Sequence, residues 1–137
     1  MAAPPTSAHV LFVNASGEVL LRLRDDRADL PYPNQWDLVG GAVEAGETIT
    51  EAARREVKEE IGLDVKGLEY FGEYPEFVLN NVFIASLSLP VEAIVLTEGQ
   101  RLRYVGAVEA RTLALVPWVA RLLDDFFFTI ERSRRAI

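Results

Sequence analysis

The chain has 137 residues, 50% of them hydrophobic, which is enough to bury one core and predicts a single domain. It contains no cysteine, so disulfides, thiolate catalysis and cysteine-based zinc sites are excluded. The net charge of −7 argues against broad nucleic-acid binding, and no apolar stretch reaches the roughly 18 residues of a membrane span. We therefore expect a cytoplasmic protein with no nucleic-acid or membrane partner.

The N-terminal part of the sequence predicts a tail followed by a β-hairpin. We expect residues 1–7, which contain two adjacent prolines, to form a flexible tail, and residues 8–137 to form the domain. Two strand-like segments, residues 8–13 and 18–23, are separated by a short turn sequence and predict two paired strands. The polar segment 25–34 contains prolines and predicts a loop.

A helix with defined ends is predicted near the middle of the chain. Thr48 and Glu51 have the spacing of a capping box, which satisfies two free amide donors at a helix start. Apolar residues then recur at every fourth position and predict a core-facing stripe, formed by Ala53, Val57 and Ile61. Gly62 is suited to end the helix, because a left-handed C-terminal residue carries no steric penalty when it is glycine.

The same helix carries three carboxylates on one side. Glu56, Glu59 and Glu60 fall within an arc of about 100°, where three like charges repel one another. A hard cation such as Mg²⁺ or Mn²⁺ would remove this repulsion. The segment before the helix predicts a loop, in which the glycine pair Gly40 and Gly41 would let the backbone approach a metal ion or a diphosphate. The pattern favours a metal-dependent enzyme that acts on phosphates, although an acidic helix face can also be simply solvated.

Further strands and a closing helix are predicted after the acidic helix. The strand-like segments are residues 68–77, 82–87, 93–96 and 101–105. Residues 116–132 predict a helix whose apolar side is formed by Val119, Leu122, Leu123, Phe126, Phe127 and Ile130. Phe128 lies off this side and is a candidate contact in a homodimer.

Three other side chains have both a structural and a functional interpretation. His9 is the only histidine and lies in a predicted strand, so we expect a structural or exposed side chain and no histidine-based metal site. Tyr32 and Trp36 could bind substrate by stacking on a base, or they could pack in the protein interior.

The segment from Gly41 to Leu63 resembles the Nudix box, G-x5-E-x7-R-E-U-x-E-E-x-G-U, in which U is aliphatic. Gly41, Glu47, the Arg55-Glu56-Val57 run, the Glu59-Glu60 pair and Gly62-Leu63 fill its fixed positions. The resemblance implies an α/β Nudix fold, an α/β/α sandwich around a mixed β-sheet. It also implies a hydrolase of nucleoside diphosphates linked to another moiety, with Mg²⁺ or Mn²⁺ as cofactor.

The resemblance also implies roles for individual residues. Glu56, Glu59 and Glu60 would be catalytic metal ligands, and the Gly40 carbonyl could add a ligand. Glu98 resembles an acidic residue that some members supply from a later loop, as a metal ligand or general base; Glu56 is the other candidate base, and Glu98 could also be a plain turn residue. Structural roles within the box fall to Gly41, Glu47, Arg55 and Gly62, with Glu47 and Arg55 expected to form an ion pair.

The preferred substrate is a small molecule, a nucleoside triphosphate or modified (d)NTP, cleaved to a nucleoside monophosphate and pyrophosphate. The alternatives are a nucleotide-sugar (ADP-ribose-like) diphosphatase and, in another class, a non-catalytic nucleotide-binding sensor. Leu115 lies near the position where oxidised-purine sanitising members place a base-reading asparagine, which argues against that particular substrate.

Overall fold

The structure, a computed structural model, describes residues 5–135, with side chains described up to residue 132. In chain order its elements are β1 (Thr6–Val13), β2 (Val19–Leu23), β3 (Trp36–Asp37), β4 (Val39–Ala42), α1 (Ile49–Ile61), β5 (Glu69–Pro75), β6 (Leu79–Ser86), a 3₁₀ turn (Val91–Ala93), β7 (Arg101–Val105), α2 (Ala107–Ala110) and α3 (Pro117–Arg135). No helix within this part of the chain is both long and apolar enough to cross a membrane.

The strands form one mixed sheet in which β1 is central. One edge of β1 pairs in parallel with β6 along its whole length, and β6 pairs in turn with antiparallel β5. The other edge of β1 pairs antiparallel with β4 near its start and with β2 at its end. β2 also pairs with β3 and β7, so it extends the sheet on that side.

Helices cover both faces of the sheet because successive strand residues point to opposite sides. In β1, Leu11 packs in the cluster that contains residues of α3, such as Val119. Val10 and Phe12 pack in the other cluster, which contains Val57 of α1. This arrangement confirms the α/β/α sandwich that the resemblance implied.

The predicted ends of the acidic helix are also confirmed. The Thr48 side chain accepts from the Glu51 amide, and the Glu51 carboxylate accepts from the Thr48 amide, which completes the capping box. Gly62 ends α1 with φ of 69°, and its amide donates to the Lys58 carbonyl. Local sequence alone therefore fixes where this helix begins and ends.

Strand β1 begins inside the segment that was predicted to be a tail. Thr6 and Ser7 belong to β1, since they pair with Leu79 and Asn80 of β6. The tail prediction is therefore too long at its C-terminal end. Its first four residues lie outside the described part of the chain.

Three other segments differ from prediction. The glycine pair was predicted to lie in a loop, but both glycines belong to β4, where they pair with β1. Residues 93–96 do not form the predicted strand. Ala93 is the last residue of a 3₁₀ turn, and the other three residues lie outside the sheet. Strand β6 begins earlier than predicted because Asn80 and Asn81, which look like turn residues, are buried and hydrogen-bonded within the sheet.

Candidate active site

Two adjacent glycines bring the helix α1 against strand β4. A Cβ on Gly40 would lie 2.4 Å from the carbonyl oxygen of Ala8 and from Nδ1 of His9, and its φ of 155° also favours glycine. A Cβ on Gly41 would lie 2.6 Å from the carboxyl carbon of Glu56. The glycine pair therefore allows the Glu56 carboxylate to rest directly on the backbone of the strand.

Arg55 braces the loop before α1. Its Nε donates to Glu47 at 2.8 Å, and its Nη2 donates to Glu47 at 3.1 Å and to the Ala42 carbonyl at 2.9 Å. The predicted ion pair is therefore present, and the hydrogen bonds from Arg55 hold the pKa of Glu47 below its ordinary value. The Nη1 atom of Arg55 also donates to Glu56 at 3.0 Å and to Glu59 at 3.2 Å.

Glu60, in contrast, points into the protein and joins a buried ion network. It is 3% exposed, and it accepts from Arg22 Nη1 at 2.6 Å and from the Gly40 amide at 2.9 Å. Arg22 also donates to both carboxylate oxygens of Asp37, which in addition accepts from Arg24. Burial raises the pKa of Glu60 to about 7, while Arg22 and the Gly40 amide favour the anion and oppose the rise.

Sequence reasoning missed Arg22 and Asp37. The available signal was a charged residue inside the apolar strand run at 19–23, which indicates either a bend or a buried partner. The partner could not be found from spacing, because Arg22 and Asp37 meet across the β2–β3 pairing and Glu60 comes from a distant helix.

The network changes the interpretation of the three glutamates. A bound cation was expected to relieve their mutual repulsion, but part of this relief already comes from the protein: Arg55 is paired with Glu56 and Glu59, and Arg22 is paired with Glu60. Within residues 5–135, no three acidic or histidine side chains are arranged to hold a metal ion. The donor chemistry nevertheless fits a hard divalent cation, since these carboxylates offer only oxygen and Gly41 leaves room for one of them against the strand.

The loop that carries Glu98 is fastened to the end of α1. The Thr97 hydroxyl donates to the Glu59 carbonyl at 2.7 Å, and the Thr97 amide donates to the Glu60 carbonyl at 2.9 Å. A Cβ on Gly99 would lie 3.0 Å from the Arg22 side chain, so the loop packs closely on the ion network. Glu98 itself is exposed and lines a small cavity together with Arg22, Arg24 and Asp25.

A cavity of about 440 Å³ lies beside Gly41 and is lined by the aromatic side chains of Tyr32, Phe77 and Trp118; we refer to it as the aromatic cavity. Trp36 does not line it; this side chain is buried and packs in the core. The stacking role considered for Trp36 is therefore replaced by its packing alternative. Trp118, at the start of α3, was missed because no pattern marked which helix residue would face a cavity.

Three of the polar residues that line the aromatic cavity, Asn80, Ser7 and His9, are linked by hydrogen bonds. Asn80 donates to the carbonyls of Tyr74 and Val78, so its Oδ1 accepts from the Ser7 hydroxyl at 2.7 Å. Ser7 must then accept from His9, which places the proton on His9 Nε2. Burial lowers the pKa of His9 to about 4, and within the described residues its Nδ1 has no hydrogen-bond partner. The expectation of a structural histidine therefore holds.

A larger cavity, of about 620 Å³, lies between α2 and α3 and includes Leu115. It is lined by none of the residues that the sequence assigned to catalysis or metal binding. Leu115 forms an isolated β-bridge with Trp36. It does not line the aromatic cavity, although it lies near the sequence position where a base-reading residue was considered.

Comparisons with known proteins concern the family and the fold. A family model for the NUDIX domain matches residues 3–112. The nucleoside triphosphatase NudI of Escherichia coli O139:H28 (strain E24377A / ETEC) is 48% identical over 52 residues, and this match covers 38% of the chain and only 36% of the relative. The chain also resembles the E. coli dihydroneopterin triphosphate pyrophosphohydrolase structure, with a TM-score of 0.73, 26% identity and coverage of 90% of this chain and 95% of that one.

A third comparison concerns the fold alone. A mutT/nudix family protein from Listeria innocua superposes with a TM-score of 0.77 at 18% identity, with complete coverage of both chains. The shared fold therefore includes α3, which lies beyond the residues matched by the family model.

Proposed function

Because the chain belongs to the NUDIX domain family, we propose that it hydrolyses the diphosphate bond of a nucleoside triphosphate or a modified (d)NTP, releasing a nucleoside monophosphate and pyrophosphate. One observation carries this proposal. The Glu56 carboxylate lies against Gly41, and Gly41 also lines the aromatic cavity. A substrate bound there could place its base in the cavity and its phosphates beside the acidic face of α1.

The size and lining of the cavity support a nucleotide base as occupant. Its volume of about 440 Å³ lies in the range typical of small-molecule sites, and its aromatic side chains offer faces on which a base can stack. The ion pair of Arg24 and Asp37 also lines it and adds polar groups to the aromatic ones. The similarity to a nucleoside triphosphatase and to a pterin triphosphate pyrophosphohydrolase favours a triphosphate over the nucleotide-sugar alternative.

We assign divalent-cation binding to Glu56, Glu59 and Glu60, with further oxygens from the Gly40 carbonyl and Glu98. Bound Mg²⁺ or Mn²⁺ would neutralise phosphate charge and make a water molecule more acidic. Glu56 and Glu98 are the candidates that accept the proton of this attacking water, which forms a new bond to phosphorus as the bond to the pyrophosphate oxygen breaks. Arg55 keeps Glu56 in place during the reaction through the hydrogen bond between their side chains.

The test is a phosphate-release screen with Mg²⁺ and with Mn²⁺ over nucleoside triphosphates, nucleotide sugars and dinucleoside polyphosphates. We expect turnover of a triphosphate, with pyrophosphate as a product. Preferential turnover of a nucleotide sugar would favour the second enzyme class, and tight binding of a nucleotide without turnover would favour a sensor.

The same screen should include Glu59→Gln, for which we expect a loss of kcat of roughly a hundredfold, equivalent to about 2.7 kcal/mol of transition-state stabilisation. Glu59 is largely exposed, so metal-free stability should hold. Glu69→Gln is the matched control, because Glu69 is an exposed carboxylate on β5, away from the carboxylates of α1. Equal activity of the two variants would contradict the assigned site.

A further inference from the structure

Arg22 holds Glu60 from the interior of the protein. Its guanidinium directs Nε and Nη2 to Asp37 and Nη1 to Glu60 at 2.6 Å. The second oxygen of Glu60 accepts from the Gly40 amide. Both oxygens of this carboxylate therefore have a hydrogen-bond partner that belongs to the protein.

The charges of this network balance without any added ion. When Glu60 is ionised, the two positive charges of Arg22 and Arg24 are matched by Asp37 and Glu60, and the network connects all four. Unpaired burial of a carboxylate is costly, so Arg22 stabilises Glu60 in the metal-free protein. Arg55 likewise forms ion pairs with Glu56 and Glu59, but its side chain is 22% exposed, against 7% for Arg22. Solvent screens Arg22 much less than Arg55.

Arg22 is also held in position along its length. It lies opposite Asp37 in the register of β2 and β3, and its aliphatic part packs under Gly99, where a Cβ would lie only 3.0 Å away. These contacts and the ion pairs of the guanidinium hold Arg22 beside Glu60.

We propose that Arg22 is a positioning residue that acts as an internal counterion of Glu60, fixing this carboxylate in the metal-free protein and opposing the binding of a divalent cation. The inference rests on the proposed function, because it takes Glu60 as a metal ligand. Two positive charges that share one buried carboxylate repel each other, so Arg22 lowers the affinity of the site for Mg²⁺ or Mn²⁺. The result is a site that is stable without metal and that binds metal weakly enough to exchange it.

The test measures Mn²⁺ binding by calorimetry without substrate, together with the melting temperature in EDTA. In Arg22→Met we expect a lower metal-free melting temperature and a Kd for Mn²⁺ that is smaller by about tenfold. Arg24→Met is the matched control, because Arg24 contacts Asp37 and not Glu60. Its Kd should stay within about threefold of the wild-type value, since its charge lies farther from Glu60.

Two further variants separate charge from packing. Arg22→Lys keeps the charge and should restore a Kd close to wild type, whereas a purely structural role would predict changes in melting temperature alone. Arg22→Gln removes the charge but keeps a hydrogen-bond donor, and it replaces Arg22→Met if the latter does not fold. An unchanged or larger Kd in the neutral variant overturns the proposal.

The outcomes distinguish this inference from the proposed function. If the wild-type protein binds Mn²⁺ and hydrolyses a triphosphate while the Arg22 variants keep its Kd, only the inference fails. If Mn²⁺ binds and the Kd responds to Arg22 but no substrate is turned over, the inference stands and the proposed reaction fails. If the wild-type protein binds no Mn²⁺, both fail.

Discussion

At the scale of single residues, Gly40 and Gly41 have different reasons to be glycine. A side chain on Gly40 would collide with the backbone carbonyl of Ala8, which cannot move without disrupting the pairing of β4 with β1. A side chain on Gly41 would meet only the end of the Glu56 side chain, which can rotate away. Gly40 is therefore required by the fold, and Gly41 by the position of a carboxylate.

This difference predicts opposite outcomes for two alanine substitutions. Gly41→Ala should displace Glu56 and lower kcat by at least about tenfold, since small misplacements of catalytic groups are costly, while unfolding in urea stays near wild type. Gly40→Ala should lower the free energy of unfolding by about 1–3 kcal/mol because of backbone strain and the collision with Ala8. Steady-state kinetics and urea denaturation of both variants provide the measurement. A Gly41→Ala protein with full activity would contradict the role given to this glycine.

The residues of the site were predictable where they belong to one continuous segment. The Thr48 cap and the grouping of the glutamates on α1 follow from spacing, and the Arg55–Glu47 pair was implied by the resemblance of the same segment to the Nudix box. Arg22 and Trp118 were not predictable, because their partners come from other strands and helices and depend on the pairing of the sheet.

At the scale of elements, the loop between the 3₁₀ turn and β7 is an extension of the site. Thr97 fastens it to the last turn of α1, and Gln100 fastens it to β2 through the Leu23 carbonyl. The exposed Glu98 side chain therefore projects from a loop that is anchored on both sides. An anchored loop can place a carboxylate reproducibly, which a free turn cannot.

We expect Glu98→Gln to distinguish the roles considered for this residue. If Glu98 accepts the proton of the attacking water, the variant should lose most of kcat and the acidic limb of the pH–rate profile, with substrate Kd near wild type. If it is only a metal ligand, excess Mn²⁺ should restore much of the rate by mass action. Glu92→Gln, on the nearby 3₁₀ turn, is the control. Wild-type kinetics at every metal concentration would leave Glu98 as a turn residue and make Glu56 the leading base.

Elements that are marked by their own sequence were predictable, and elements that depend on pairing with another strand were not. The caps fixed α1, runs of apolar residues indicated β1 and β2, and alternating apolar residues indicated β7. Strand β3 has two residues and strand β4 contains two glycines, so no local pattern marks them, and only pairing with β2 and β1 makes them strands.

At the scale of the whole molecule, stability should depend on pH through two buried groups of opposite effect. Burial lowers the pKa of His9 from 6.5 to about 4, so His9 stabilises the fold above pH 6.5 and this contribution is lost as the pH falls toward 4. The raised pKa of Glu60 acts in the other direction, because it favours the folded state as the pH falls below 7.

The His9 contribution can be isolated with His9→Gln, whose amide can donate to Ser7 in place of Nε2. Between pH 7 and pH 4 the wild-type protein should lose up to about 3 kcal/mol more stability than the variant. The reason is that the His9 imidazole binds a proton more readily in the unfolded chain than in the folded protein, whereas glutamine does not titrate. Urea unfolding of both proteins in EDTA, at half-unit steps of pH, gives this difference. Parallel stability curves would show that His9 does not titrate as described.

The central position of β1 also constrains the order in which the molecule can fold during synthesis. Its antiparallel partner β4 is complete after residue 42, but β6 lies much later, as the distance of 73 residues between Ser7 and Asn80 indicates. At about 5–20 residues per second, roughly 4–15 s separate the emergence of these two residues from the ribosome. Until β6 arrives, one edge of an apolar strand is open to neighbouring chains, so this interval is when aggregation competes most strongly with folding.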